Sequence, residues 1–309
     1  TLYEERVVTF QGVKPGDFTK TPVDKTEDPD FGTEMIPKER YTSRDFMQKE
    51  WDRLWTKVWN WGCASQDIEE PGDYIVTSLG KEEILLTRQP DGTAKGFYNV
   101  CQHRGNRLMM GQGNATTFKC NYHHWEYKLT GEFENIPDIE TFPQGAPPCG
   151  GLTEVRVEEW NGFVFFCLDP DGESFDDFIH PLKEHLGPYH FDRMVKVTDW
   201  TVEWECNWKT SVDAFNESYH VQGIHPELLY FIEDKHLQID TYEKHNRYLI
   251  PFATISHRVN ETTEIPHLIK HAMKEAGMDP ADFDGRISEI RPALQKWKRE
   301  HGAGRGLDY

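Results

Sequence analysis

The sequence predicts an α+β protein, a compact β domain followed by a region of segregated helices and strands. Three observations carry this. Between about residues 57 and 168, short β-like runs alternate with Gly, Pro and Asp turns. After "LDPDGES" at 168–174, helix-like and strand-like stretches come in separate runs. Aromatic residues make up 13% of the 309-residue chain, with 10 Trp, which suits a well-packed interior and an apolar pocket. At this length two domains are expected, taking roughly 100–200 residues for each.

Residues 11–40 are rich in Pro, Gly, Asp and Thr without periodicity, which predicts an extended arm. The stretch "TSRDFMQKEWDRLWTKVW" then opens with Thr42 and Ser43 as caps, and Phe46, Trp51, Leu54 and Trp55 recur at helical spacing. The β domain follows as "GDYIVTSL", "EEILLTRQ", "AKGFYNVC", "TTFKCNYH", "TEVRVEEW" and "GFVFFCL", enough short strands for a sandwich or barrel. Beyond it the expected order is a helix in "SFDDFIHPLKEHL", a strand in "MVKVTDWTVEWECN", and a helix in "WKTSVDAFNESYHV". Strands in "LQIDTYEKHNRYLIPFATISHRV" and two polar helices, "PHLIKHAMKEAG" and "ISEIRPALQKWKREHG", complete it. No internal repeat or low-complexity tract interrupts this order. The expected division is an arm and helix over 1–54, the β domain over 55–168, and a second domain over 169–309.

Charge narrows the function. With 53 Asp+Glu against 34 Lys+Arg the formal charge is −19, which argues against nucleic acid and leaves room for a basic partner protein. The longest apolar run, "GFVFFCL", falls far short of the roughly 20 residues that span a bilayer. The opening "TLYEERVVTF" has no secretory pattern, so a cytoplasmic place is expected, and its lack of Met suggests a trimmed chain. Six cysteines in such a chain point to metal rather than to a disulfide framework.

Four residues concentrate that expectation. "CQHRG" places Cys101 and His103 two apart, and "CNYHHW" places Cys120 and His123 three apart, each arm offering one thiolate and one imidazole. The residues alone admit a chance grouping, a structural zinc site, or a two-iron cluster with two Cys on one iron and two His on the other. Zinc sites usually keep like ligands together, whereas interleaved arms let each loop serve both irons.

"FYNVCQHRGNRL", "CNYHHWEY" and "EEWNGFVFFCLDP" resemble the Rieske iron–sulfur domain. That family's second loop usually reads C-P-Y-H-G-W, and Asn121 and His124 depart from it at positions that are not ligands. The resemblance implies a [2Fe-2S] cluster on Cys101, His103, Cys120 and His123, with Trp125 and Tyr127 shielding it and His124 an ordinary flanking residue.

Downstream lies "NWKTSVDAFNESYHVQGIHPEL", residues 207–228. On one helix Asp213, Glu217 and His220 form a single stripe, flanked by Asn216, with Val212, Phe215 and Tyr219 packed around it. His225 would sit about 140° from His220 on a regular helix, so the two meet only if the helix bulges or ends between them. Gly223 allows that, and Pro226 discourages regular helix there. A Rieske domain followed by N-W-K, a carboxylate and E-x-Y-H-x4-H resembles the α subunits of Rieske non-haem iron oxygenases, from about residue 40 to 230.

That resemblance implies a helix-grip-like catalytic domain with an antiparallel sheet, incomplete in this chain. It places mononuclear Fe(II) on His220 and His225, makes Glu217 an electron bridge to a neighbouring subunit, and puts Asp213 and Asn207 behind the ligands. It implies O2 as co-substrate, NAD(P)H acting through a flavin reductase with or without a ferredoxin, and a homotrimer with or without β subunits. The product is a hydroxylated, dihydroxylated or demethylated small molecule, and an aromatic or apolar organic substrate is expected, although the family also handles quaternary amines and sterol-like compounds. The family's third iron ligand is a carboxylate on a later helix. Asp279, Asp282, Asp284, Glu289 and Asp308 lie in no such context, and none is nominated. An electron carrier would need only the first part of the chain, and a zinc-stabilised binding protein would lack the red-brown colour of a Rieske cluster.

Overall fold

The computed structural model describes residues 26, 27, 30–259, 264–284 and 286–304. Most of the expected arm, and Asp308, lie outside them; residues 30–37 form no regular element. One compact unit comprises residues 43–179 and 190–200. The other comprises the described residues among 1–42, 180–189 and 201–309.

The first unit is built on an antiparallel sheet of seven strands: β1 (Asn60–Ala64), β2 (Asp73–Leu79), β3 (Glu82–Arg88), β4 (Ala94–Tyr98), β5 (Gln112–Asn114), β9 (Glu154–Trp160) and β10 (Phe163–Cys167). Their spatial order is β1-β10-β9-β4-β3-β2-β5. A second sheet holds β6 (Thr117–Lys119), β7 (Glu126–Lys128) and β8 (Phe133–Asn135). The six runs expected from sequence all contain strands, and β1, β5, β7 and β8 were not foreseen. All four lack β-branched residues and three of them are only three residues long, so their pairing, not their propensity, makes them strands.

β3 shows why its run is continuously apolar. Leu85 faces one core with Phe97, Phe118 and Tyr127, whereas Ile84 and Leu86 face another with Ile68, Val164 and Phe166. Alternate side chains point to opposite faces, and both faces are covered, so neither can be polar. β9 and β10 meet through Asn161 (φ 51°) and Gly162 (φ 85°), the two left-handed residues of a tight hairpin turn. Ahead of the sheet, the Ser43 hydroxyl caps the Arg44–Glu50 helix by accepting the Phe46 N–H at 3.3 Å. That helix continues as a π turn over Trp51–Trp55.

In the second unit the Trp208–Phe215 helix is capped by Asn207, whose side chain accepts the Lys209 N–H at 3.0 Å. β11 (Gln238–Thr241) and β12 (Asn246–Leu249) form an antiparallel hairpin, and among the described residues these are the only strands of the unit. The two late helices, His267–Glu275 and Ile287–Ala303, share a core of Ile269, Met273, Ile290 and Leu294 with Ala253 and Ile265. Each is therefore amphipathic, with its polar residues outward.

Three expectations need correction. "MVKVTDWTVEWECN" forms no strand. Its β-branched and aromatic residues favour extended backbone, but no described segment offers it a ladder, and Val197 and Trp200 remain 88% and 75% exposed. The helix through "WKTSVDAFNESYHV" stops at Phe215, so Asp213, Glu217 and His220 do not share one stripe. The expected helix in "SFDDFIHPLKEHL" is likewise two, Phe175–Ile179 and Leu182–Leu186, since Pro181 cannot continue the ladder. Among the described residues no helix is long and apolar enough to cross a membrane.

Candidate metal centres

The two Cys/His loops have the same backbone closure. The Cys101 N–H donates to the Asn106 carbonyl at 2.8 Å, and the Cys101 carbonyl accepts from Gly105 at 3.0 Å. Correspondingly, the Cys120 N–H donates to the Trp125 carbonyl at 2.8 Å, and the Cys120 carbonyl accepts from His124 at 3.0 Å. The fourth residue after each cysteine is left-handed: Gly105 at φ 70° and His124 at φ 60°. His124 is thus more than a flanking residue, because it holds a conformation that favours glycine, the residue usual there in the resembling family.

These loops bring the four predicted donors together in pairs. The Cys101 and Cys120 thiols lie close enough to perturb each other, and the His103 and His123 rings lie 4.5 Å apart. No three donors of the quartet fall within 4.8 Å of one another. A single zinc would gather all four, whereas a two-iron cluster is served by one sulfur pair and one imidazole pair. The Nδ1 of His103 is buried with no hydrogen-bond partner, a cost that bonding to a metal removes. The residues present therefore fit a [2Fe-2S] cluster.

The surroundings are built for it. Trp125, 5% exposed, stacks on His103 at 4.7 Å and 7°. Tyr127 is fully buried, accepts the Gln102 N–H at 2.9 Å and lies 3.2 Å from Cys101 Sγ. A thiolate has no proton to give, so toward a metal-bound Cys101 the phenol is the donor. Burial first, and then the bond to Cys101, push the phenol far above its ordinary value, so it stays protonated. Asn106 Nδ2 reaches Asn121 Oδ1 at 2.8 Å and Cys120 Sγ at 3.6 Å, tying the loops together. This bond shows what Asn121 does where the family usually has proline. Burial pushes the Cys101 thiol up. Burial also acts on Cys120, but the Tyr122 and His123 N–H groups and the Cys101 and Asn106 side chains outweigh it and draw that thiol down. Burial and the nearby charges of His123 and Arg104 lower His103.

His220 and His225 stand at the two ends of the four-residue Val221–Ile224 helix. This short turn resolves their awkward spacing: His225 leaves helical geometry at φ −128°, ψ 52°, and the rings lie 5.6 Å apart, nearly perpendicular. Glu217 folds back on His220, accepting its backbone N–H at 3.1 Å through Oε2 and its ring Nδ1 through Oε1. Burial pushes the Glu217 carboxyl up, but the ring and backbone donors of His220 and the Tyr219 N–H together hold it below its usual range. Engagement of Nδ1 leaves Nε2 as the ligand atom, an imidazole oriented by a carboxylate. These two histidines fit a mononuclear iron site, and no carboxylate joins them as a third close donor among the described residues.

Asp213 and Asn207 lie elsewhere in their contacts. The Asp213 carboxylate accepts the Tyr41 hydroxyl at 2.9 Å, and Asn207, besides capping its helix, donates to the Tyr41 carbonyl at 3.1 Å. Tyr41 was not foreseen, because its partners are far away in sequence. Phe252 and Tyr230 are 53% and 46% exposed, and Ile255 packs on the late-helix core.

This donor pattern defines the class: a Rieske domain joined to a region with a His-x4-His iron site. Comparison agrees on both halves. Residues 58–148 match the family described as "Rieske [2Fe-2S] domain", and residues 191–300 match "Ring hydroxylating alpha subunit (catalytic domain)". The glycine betaine monooxygenase oxygenase subunit of Chromohalobacter salexigens is 31% identical over 201 residues, 64% of this chain and 44% of that protein. The carnitine monooxygenase oxygenase subunit of Escherichia coli K12 is 32% identical over 198 residues, 62% of this chain and 52% of that one. Among solved structures, a quaternary ammonium Rieske monooxygenase superposes with a TM-score of 0.64 at 27% identity, covering 67% of this chain and 59% of the other. The chain thus matches both domains found in Rieske non-haem iron oxygenase α subunits, and it spans about half the length of the curated relatives it matches. Members carry a [2Fe-2S] cluster and a mononuclear iron and use O2.

Proposed function

We propose that the protein is the terminal oxygenase component of a Rieske oxygenase system, supplied with electrons by an NAD(P)H-dependent reductase and acting on a small organic molecule in the cytoplasm. The observation that carries this is the presence of two different donor sets in one chain, Cys101/His103/Cys120/His123 and His220/His225. With its groups bound, the first supplies single electrons and the second a place for O2 beside substrate.

The chain's own residues do the rest. Tyr127 and Asn106 hold hydrogen bonds to the cysteine sulfurs, and Trp125 keeps water from His103. Glu217 fixes the tautomer of His220. In a homotrimer, the same carboxylate would reach a cluster histidine of the neighbouring subunit, and its hydrogen bond with the His220 ring supports that bridging role. The names of relatives span carnitine, glycine betaine and naphthalene, so quaternary ammonium compounds stand beside aromatic or apolar ones as substrate classes.

The test pairs two variants in the full-length enzyme. His220→Ala should lose mononuclear iron and keep the cluster's absorption and EPR signal. Glu217→Gln should keep both metals yet slow single-turnover electron transfer at least tenfold, about 1.4 kcal/mol in barrier. An unchanged rate in Glu217→Gln refutes the bridge, and a colourless parent with no EPR signal on reduction refutes the oxygenase reading. Product analysis with a reductase against both substrate classes assigns the substrate.

A further inference from the structure

Among the described residues, and apart from those two donor sets, one trio of side chains converges on a point. Glu233, His236 and His257 each offer a ligand atom, all within 4.8 Å of one another. We propose that they form a third metal site, which binds a divalent transition ion of the zinc type and clamps the base of the β11–β12 hairpin.

The backbone builds the site from two segments. Ile232 and Phe252 form an antiparallel bridge, the Glu233 N–H donates to the Pro251 carbonyl at 3.0 Å, and the Ser256 N–H donates to Leu229 at 2.8 Å. His257 is thereby brought to Glu233 across the hairpin. The carboxylate is then held from both sides: Oε1 accepts the N–H groups of Lys235 and His236 at 3.0 Å, and Oε2 accepts that of His257 at 3.1 Å. The ring Nδ1 of His236 lies 3.2 Å from Oε1 and that of His257 2.6 Å from Oε2, with the rings 4.4 Å apart. Zinc at about 2.0–2.2 Å from nitrogen and oxygen has tetrahedral edges of about 3.3–3.6 Å, against separations of 2.6 and 3.2 Å here and no pair of the three donors beyond 4.8 Å.

Charge favours an ion here. Glu233 and its neighbour Asp234 both have fully buried side chains. Asp234 is paired with the Arg258 guanidinium at 2.6 Å and the Ser256 hydroxyl. Glu233 faces two imidazoles instead, and a buried carboxylate is costly unless matched by positive charge. Two imidazoles and one carboxylate suit zinc and its neighbours over Mg2+ or Ca2+, which prefer all-oxygen sets. The His236 and His257 side chains keep 33% and 16% exposure, leaving an approach for the ion and a fourth ligand from water.

The experiment uses the full chain carrying its cluster, in a His220→Ala/His225→Ala background so that the other imidazole pair is absent. Zn2+ titrated calorimetrically should bind at one equivalent per chain, and Co2+ should give d–d bands without thiolate charge transfer, excluding the exposed Cys149 and Cys206 as ligands. Adding His236→Ala should weaken binding about 100-fold or more, and Glu233→Gln should do the same. Since Glu233 is buried, each variant's melting curve is recorded. Chelator should lower the melting temperature of the background chain and leave that of the His236→Ala chain unmoved. Absence of binding in the background chain, thiolate bands with Co2+, or unchanged affinity in folded His236→Ala overturns the proposal, and none of these bears on the oxygenase reading.

Discussion

Replacing Tyr127 with Phe removes one oxygen and tests whether the wall of the first donor set is also its tuning device. The hydroxyl serves two partners, the Gln102 N–H at 2.9 Å and Cys101 Sγ at 3.2 Å. Losing the first strands a partly buried donor, which costs about 1–3 kcal/mol in stability. Losing the second affects the reduced cluster more than the oxidised one, because reduction adds negative charge that an O–H donor stabilises. Taking about 1 kcal/mol for that difference, with 1.4 kcal/mol equal to 59 mV for one electron, the potential should fall by about 40 mV. The assay is an EPR-monitored redox titration beside a urea melt of the same samples. A variant with full cluster content and an unmoved potential refutes the donor role, even if stability drops, because then Tyr127 only packs.

Further outcomes follow from other residues. Arg88, nearly buried, grips Glu159 with two guanidinium nitrogens at 2.7 and 3.1 Å, and this holds the Glu159 carboxyl below its ordinary range. The stability it contributes is present above the unfolded carboxylate value, about 4.3, and is lost as pH falls through the lower folded value. Glu159→Gln should therefore destabilise the β unit by about 1–3 kcal/mol at neutral pH and flatten its stability–pH slope in acid, read by urea melts between pH 3 and 7 at roughly unit steps. His124→Gly relieves about 1–2 kcal/mol of left-handed backbone but adds about 0.5–1 kcal/mol of unfolded-state entropy, so a net gain of up to about 1.5 kcal/mol is expected by chemical denaturation. A loss would mean that the imidazole makes an interaction of its own. Phe118→Ala, at a fully buried site between Leu85 and Tyr127, should cost about 3–5 kcal/mol and reduce cluster retention, measured by absorption during denaturation.

The local code accounts for much of this protein. Short apolar and β-branched runs bounded by Gly, Pro and Asp turns made six strands of the β unit legible, and a run covered on both faces, as in β3, is apolar throughout. Tight Cys/His spacing on two turns made the cluster ligands legible, because four donors that close in sequence have few other uses. The iron histidines were legible only through the company they keep. Their spacing contradicts a regular helix, and it took the folded turn at Val221–Ile224 to bring the rings together. Other features depend on partners distant in the chain. "MVKVTDWTVEWECN" has strand propensity but no ladder, since a strand is a property of a pair. The helical stripe through Glu217 failed because the carboxylate bonds His220 across a turn, competing with helix continuation at Asn216. His124 is left-handed because its N–H must close the loop on Cys120, and Glu233 meets His257 only because the hairpin folds 24 residues back. Periodicity records which face of an element is buried; which residues meet across that face is decided when distant segments pack, and that is where the phenol on Cys101 and the carboxylate on His220 acquire their chemistry.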